Sequence, residues 1–341
     1  MFPRWLRRLL LAVAVLALVF GPALYIVFAD YRRFLDTPLG VPTSGWVVEI
    51  KPGMGIGDIA RGLRRQPGLL RSAPYLEAYA RLNGLAHRLK AGEYAIMSGA
   101  TPRDAIGQIV AGRVIQYPLT VVEGWTFRQL RQALAAQPKL VQTLQGASDA
   151  EVMARLDRPD EHPEGRFLPD TYHFPAGFTD EAFLRRALAA MDRRLAEAWA
   201  SRAPDLPLSD PYQGLILASI IEKETAVPAE RPDIAGVFAR RLRKGMRLQA
   251  DPTVIYGLGE AFDGDLRRQD LAADTPYNTY ARKGLPPTPI ALPGMDSLNA
   301  AVHPASGDAL YFVATGEGGH VFSSTLEQHG RAVRQYQSKG R

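Results

Sequence analysis

Between Leu9 and Phe28 the chain carries no charged residue. A run of about twenty residues rich in Leu, Val and Ala has the length that crosses a bilayer core. Arg4, Arg7 and Arg8 precede it, Arg32 and Arg33 follow it, and Trp5 and Tyr25 suit the two interfacial zones. A cleaved signal peptide is the alternative, but its apolar region is shorter and closes on a small-residue cleavage site, and no clear site of that kind ends this run. The pattern therefore predicts a single-pass anchor. The positive-inside rule keeps the N-terminal arginines in the cytoplasm; Arg32 and Arg33 pull the other way, while the short N-terminus and the large remainder favour export. Everything after Asp30 is then expected to work on the extracytoplasmic side.

The rest of the 341 residues is ordinary globular material, with 46% hydrophobic and 22% charged residues, and long enough for more than one domain. A net charge of +6 suits nucleic acid, anionic lipid or an acidic polymer, and does not choose among them. No recognisable nucleic-acid-binding motif is present, and none is expected in an exported domain. The absence of cysteine excludes disulfides, thiolate nucleophiles and cysteine-bound zinc. The six histidines show no HExxH-type spacing, so neither a metal nor another cofactor is indicated.

The second organising feature is Leu215-Ile-Leu-Ala-Ser-Ile-Ile-Glu-Lys-Glu-Thr225. Ser209 and Asp210 offer a cap and Pro211 suits a first helical position. From Leu215 to Ile221 the helix is apolar on nearly every side, which marks it as buried. Glu222 falls at its end, on the face shared with Leu215, Ala218 and Ser219. A carboxylate in that setting is poorly hydrated, and desolvation favours its protonated form, as a general acid for a glycosidic oxygen requires. A plainer reading makes Glu222 a solvated helix end or an ion-pair partner. Glu224 lies roughly 200° further round, so the two carboxylates do not share a face.

Periodicity and punctuation predict an α+β chain. Tyr31–Ser44 reads as a spacer. Trp46–Ile50 alternates like a strand, Ile56 to Leu63 and Tyr75 to Leu82 mark helical faces, and Glu93–Met97 is a short strand. Thr101-Pro-Arg-Asp104 opens a helix that stops at Gly112. This strand–helix order, with Leu89-Lys-Ala-Gly-Glu-Tyr94, resembles a LysM-like module, which implies contact with N-acetylglucosamine polymers. Val114–Val122 predicts a strand, Thr126 caps a helix, and 135–160 is polar and helical. Residues 164–177, dense in Gly, Pro, aromatics and acids, predict an ordered loop that suits sugar rings, or else a tight structural turn. Arg240, Arg241, Arg243, Lys244 and Arg247 form a cationic edge, most simply a solvated face. Asp251 reads as a helix cap, the Pro-rich stretches 275–280 and 284–294 are irregular and suited to lining a cleft, and 309–323 is a hairpin followed by a last helix.

Glu222-Lys-Glu-Thr-Ala226 followed by Leu248-Gln-Ala-Asp-Pro-Thr-Val-Ile-Tyr-Gly257 resembles the YceG-like endolytic murein transglycosylase family. Tyr277-Asn-Thr-Tyr280, Gly284-Leu-Pro-Pro287, His303-Pro304, Tyr311-Phe-Val313, Glu164-Gly165 and Pro169-Asp-Thr171 fit the same pattern. The resemblance implies an anchor at 1–30, a spacer at 31–44, a LysM-like α/β subdomain at 45–122 and a mixed α+β catalytic domain at 123–341. It further implies a membrane-anchored enzyme that cuts peptidoglycan strands internally between N-acetylmuramic acid and N-acetylglucosamine. By the same resemblance Glu222 is the catalytic acid and then base, and 1,6-anhydro ends are left without water. Glu164, Gln249, Asp251, Tyr256 and Asn278 are the candidates for holding the sugars, and penicillin-binding peptidoglycan synthases are possible partners. Two other readings stay open: a muramidase that uses a second carboxylate among Glu164, Asp170 and Asp251, and a non-catalytic peptidoglycan-binding scaffold.

Overall fold

A computed structural model describes residues 3–64, 73–316 and 318–336. The chain forms two compact units, one of residues 1–117 with 174–177 and one of residues 118–173 with 178–341.

In the first unit α1 (Arg4–Asp36) is exposed almost throughout and is long and apolar enough to cross a membrane. It runs six residues into the stretch read as a spacer and stops at Thr37, before Pro38, which disfavours helical backbone in its predecessor. Its end is built into the unit: Leu35 is buried, Tyr75 Oη donates to Asp30 at 3.0 Å, and Arg103 pairs with Asp36 at 2.7 Å. Strand β1 (Trp46–Ile50) leads to α2 (Ile56–Arg64) and α3 (Ala73–Leu82), and β2 (Gly92–Ile96) returns antiparallel to β1. Helix α4 (Pro102–Ala111) has the expected reciprocal cap between Thr101 and Asp104 and ends on Gly112 in the left-handed region. Ile59, Leu63, Leu76, Tyr94, Ile96, Ile106 and Ile109 form the core. Each large aliphatic side chain so buried contributes about 1.5–3 kcal/mol. Tyr94 keeps its hydroxyl satisfied on the carbonyls of Lys90 and Ile109.

Strand β3 (Tyr117–Thr120) leads into the larger unit. It is followed by α5 (Phe127–Ala135), β4 (Leu140–Val141), α6 (Asp149–Arg155), β5 (Thr171–Phe174), β6 (Phe178–Thr179) and α7 (Asp180–Ala200). Then come α8 (Pro211–Glu224), α9 (Arg231–Arg243), α10 (Asp251–Leu258), α11 (Arg268–Ala272) and α12 (Met295–Val302). The hairpin β7 (Tyr311–Ala314) and β8 (His320–Ser323) and the final helix α13 (Leu326–Tyr336) close the chain. The architecture is mixed α+β, its described strands paired only two by two.

Helix α8 is the axis of this unit. Asp210 caps it by accepting from Gln213 N–H, and every residue from Gly214 to Ile221 is buried. Helices α7, α9, α10 and α12 surround it. Ser219 ties the proline-rich stretch to it: its hydroxyl donates to Ile216 O at 2.7 Å and accepts Ile290 N–H at 3.0 Å.

Three local expectations change. Residues 171–174 form a strand inside the stretch read as a loop, because Tyr172 and Phe174 alternate inward with Thr171 and His173 outward. The 135–160 region holds only α6 and the short β4, since a helix starts only where Ser148 and Glu151 make a capping box. Arg241 is buried rather than solvated, with its guanidinium on the carbonyls of Leu248 and Leu310 and over the Tyr311 ring.

Candidate active site

The end of α8 delivers its two glutamates to different surroundings. The Glu222 side chain is 6% exposed. Its Oε1 accepts from Arg231 Nη2 at 3.0 Å and its Oε2 from the backbone N–H of Gly294 at 2.8 Å. Glu222 is therefore buried, as expected from the apolar run, and held by an ion pair, as in its plainer reading. The guanidinium of Arg231 also meets Asp296 at 3.3 Å and Glu123 at 3.9 Å, so three carboxylates converge on one buried cation. Burial raises the Glu123 pKa and the neighbouring Glu222 charge adds to that, while Arg231 opposes it. A Cβ at Gly294 would fall 1.9 Å from Glu123 Oε1, so a side chain there would displace the Glu123 carboxylate. This knot joins the end of α8, the start of α9 and the 284–294 stretch. Each Glu222 oxygen thus accepts one N–H hydrogen bond.

Glu224 faces a cleft of about 470 Å³ shared with Gln249, Asp251, Tyr280, Arg241 and His320. Burial pushes its carboxyl up to about 8, and the charge of Asp251 pushes the same way against the pull of Arg241. At neutral pH Glu224 thus holds a proton while facing an opening, which suits it to protonate a leaving oxygen. Asp251 is the first residue of α10 rather than its cap, and Tyr280 donates its hydroxyl to Asp251 Oδ1. Gln249 sits in the left-handed region at φ 53°, a cost for a non-glycine residue. Its N–H is held by Thr279 O at 3.1 Å, and its Oε1 lies 3.4 Å from Arg241 Nη1.

A second cleft of about 740 Å³ lies along α10 beside Glu164, Tyr256, Tyr277 and Lys223. Glu164 is 3% exposed and accepts from Phe127 N–H at 2.9 Å and from Tyr256 Oη at 3.1 Å. Burial pushes its carboxyl up to about 7, although both hydrogen bonds work to lower it. Tyr256 meets Tyr277 edge to face at 5.0 Å.

The residues singled out from sequence are thus divided. Gln249 and Asp251 share the cleft of Glu224, Glu164 and Tyr256 share the neighbouring cleft, and Glu222 lies in the ion-pair knot. Asn278 is buried: its amide donates to the carbonyls of Asp270, Leu271 and Ala273, and its Oδ1 accepts from the N–H groups of Tyr280 and Ala281. Its polar atoms are spent on shaping the loop that carries Tyr280. Glu224, Tyr280, Arg241 and His320 were not singled out. A signal for Glu224 existed: Leu217, Ile220 and Ile221 precede it at i−7, i−4 and i−3, a more apolar face than the one assigned to Glu222. Among the described residues no cluster of His, Asp and Glu has the grouping of a metal site.

The model of the YceG-like family matches residues 48–335. The chain is similar to a Bacillus subtilis (strain 168) protein named endolytic murein transglycosylase, at 33% identity over 85% of this chain and 84% of that protein. A Streptococcus pneumoniae serotype 2 protein of the same name is 27% identical, over 91% of this chain and 62% of its own length. Among solved structures, a crystal structure of a YceG-like protein from Listeria monocytogenes is 32% identical with a TM-score of 0.55, covering 85% of this chain and 99% of that one.

Proposed function

Because the chain belongs to the YceG-like family, we propose that it is an endolytic peptidoglycan lytic transglycosylase. It cleaves the bond between N-acetylmuramic acid and N-acetylglucosamine within a glycan strand and leaves a 1,6-anhydro-muramic end, terminating or trimming nascent strands. The observation that carries the reading is the place of Glu224 in a polar cleft beside Gln249, Asp251 and Tyr280, where burial raises its pKa.

In this mechanism Glu224 gives its proton to the glycosidic oxygen as the C1–O bond breaks. The carboxylate so formed then takes the proton of the muramic 6-hydroxyl, whose oxygen closes on C1. The acid is regenerated and no water is consumed. Gln249 and Asp251 contact the sugars beside the bond, and Glu164 and Tyr256 contact the strand in the neighbouring cleft. Asn278 acts through the loop that it shapes.

Glu222 as the acid is the second reading, favoured by its deep burial beside two further carboxylates. A muramidase is the third, favoured by Asp251 standing in the same cleft as Glu224. A non-catalytic peptidoglycan-binding scaffold is the alternative outside enzymes. Turnover of Glu224→Gln and Glu222→Gln on purified glycan strands decides between the two acids, and reducing ends in place of anhydro ends from the wild type support the muramidase. Loss of activity by about 10²–10⁴-fold in Glu224→Gln alone is expected. Loss confined to Glu222→Gln supports the second reading, and a wild-type protein that binds strands without cutting them supports the scaffold.

Helix α1 anchors the protein in the cytoplasmic membrane, and Arg4, Arg7 and Arg8 orient it so that the catalytic domain, read as residues 123–341, works on the extracytoplasmic side. Residues 45–122 form a LysM-like subdomain that contacts the glycan, a reading supported by the order β1–α2–α3–β2 with antiparallel strands. Penicillin-binding synthases, which make the nascent strands, are proposed as partners on family grounds.

A further inference from the structure

The hairpin β7–β8 supplies a group that the mechanism above leaves unused. His320 opens β8 and is among the residues that line the Glu224 cleft. Glu230 grips it twice: Oε1 accepts the His320 backbone N–H at 2.8 Å, and Oε2 lies 2.7 Å from ring Nδ1. Burial acts to raise the Glu230 pKa, but the hydrogen bonds from His320 outweigh it and hold the carboxyl below its ordinary value. Gly319 lies close beside this carboxylate: a Cβ there would fall 3.0 Å from Glu230 Oε1. Phe312 meets the ring edge to face at 5.4 Å, which limits its rotation.

A carboxylate at Nδ1 favours hydrogen on that nitrogen, and the neutral ring so held carries its lone pair on Nε2. Nε2 has no hydrogen-bond partner among the described residues. We propose that His320 is a sugar-contacting residue of the Glu224 cleft: Nε2 accepts a hydrogen bond from a hydroxyl or amide N–H of the glycan. Glu230 acts as the positioning residue that fixes the tautomer and direction of the ring. The inference rests on the reading that this cleft takes the glycan, and does not depend on which carboxyl is the acid.

Steady-state kinetics of the detergent-solubilised full chain on purified glycan strands test it, with melting temperatures recorded for each variant. His320→Ala is expected to raise KM about tenfold with kcat within about threefold of wild type, the size of one lost neutral hydrogen bond. His320→Gln, which keeps an acceptor, restores a large part of that loss. Glu230→Ala raises KM similarly and adds nothing in the double variant, because both changes remove the same contact. An unchanged KM in His320→Ala overturns the proposal. So does a fall in melting temperature and in kcat that His320→Gln fails to repair, since a purely structural pair behaves that way. Glu224→Gln run alongside separates the claims. Full turnover in that variant, with the His320 effect intact, refutes the acid assignment alone; loss of turnover there, with no His320 effect, refutes the contact alone.

Discussion

The pH dependence of cleavage distinguishes the two glutamates that end α8. Glu224 is pushed from an ordinary 4.5 to about 8, first by burial and then by the Asp251 charge. At pH 7 a carboxyl with a pKa of about 8 is roughly 90% protonated, against roughly 0.3% at the ordinary value, a gain of about 300-fold in competent acid. By pH 9 the protonated fraction falls to about 9%, so kcat/KM should drop about tenfold between pH 7 and pH 9. Asp251→Asn removes the second cause of the shift, and the alkaline limb should then move to lower pH. Glu222→Gln should leave the limb where it is. Initial rates of fragment release from glycan strands across pH 5–10 provide the assay. Activity that stays flat or rises between pH 7 and pH 9, or a limb that shifts in Glu222→Gln and not in Asp251→Asn, would refute the reasoning.

The ion-pair knot and the second buried acid give further expectations. Arg231→Met leaves three carboxylates facing one another around an apolar side chain, and urea denaturation should report a loss of about 3–5 kcal/mol, as for a buried pair deprived of one partner. Glu164 is raised in the folded state to about 7, so between about pH 4.5 and pH 7 the native protein binds more protons than the unfolded chain. Through Glu164 alone stability then falls by about 3 kcal/mol as pH rises through that window, and Glu224 adds to the same slope. Glu164→Gln should flatten the slope there, and an unaltered slope in the variant would contradict the assignment.

Much of the fold is legible in the sequence because its signals are local. Thr101, Thr126 and Ser148 make reciprocal caps at α4, α5 and α6; the first two are readable from their neighbours. The apolar run at Leu215–Ile221 announces a buried helix, and it is the central one. The divided fate of the two glutamates is not legible in the same way. It depends on Arg231 and Gly294 reaching Glu222, from nine and 72 residues away, and on Gln249, Asp251 and Tyr280 closing around Glu224 from further along the chain. Burial of Arg241 is hidden for the same reason: a basic run reads as solvated until the carbonyls that receive its guanidinium are placed around it. Asn278 illustrates the converse, a polar residue in a cleft-like stretch whose capacity is consumed by its own loop.

Mass spectrometry of the fragments released from purified peptidoglycan strands, by the wild-type protein and by Glu224→Gln, tests the central claim most directly. Anhydro-muramic ends from the first and none from the second are the expected result. Reducing ends from the wild type, or anhydro ends that persist undiminished in Glu224→Gln, would contradict it.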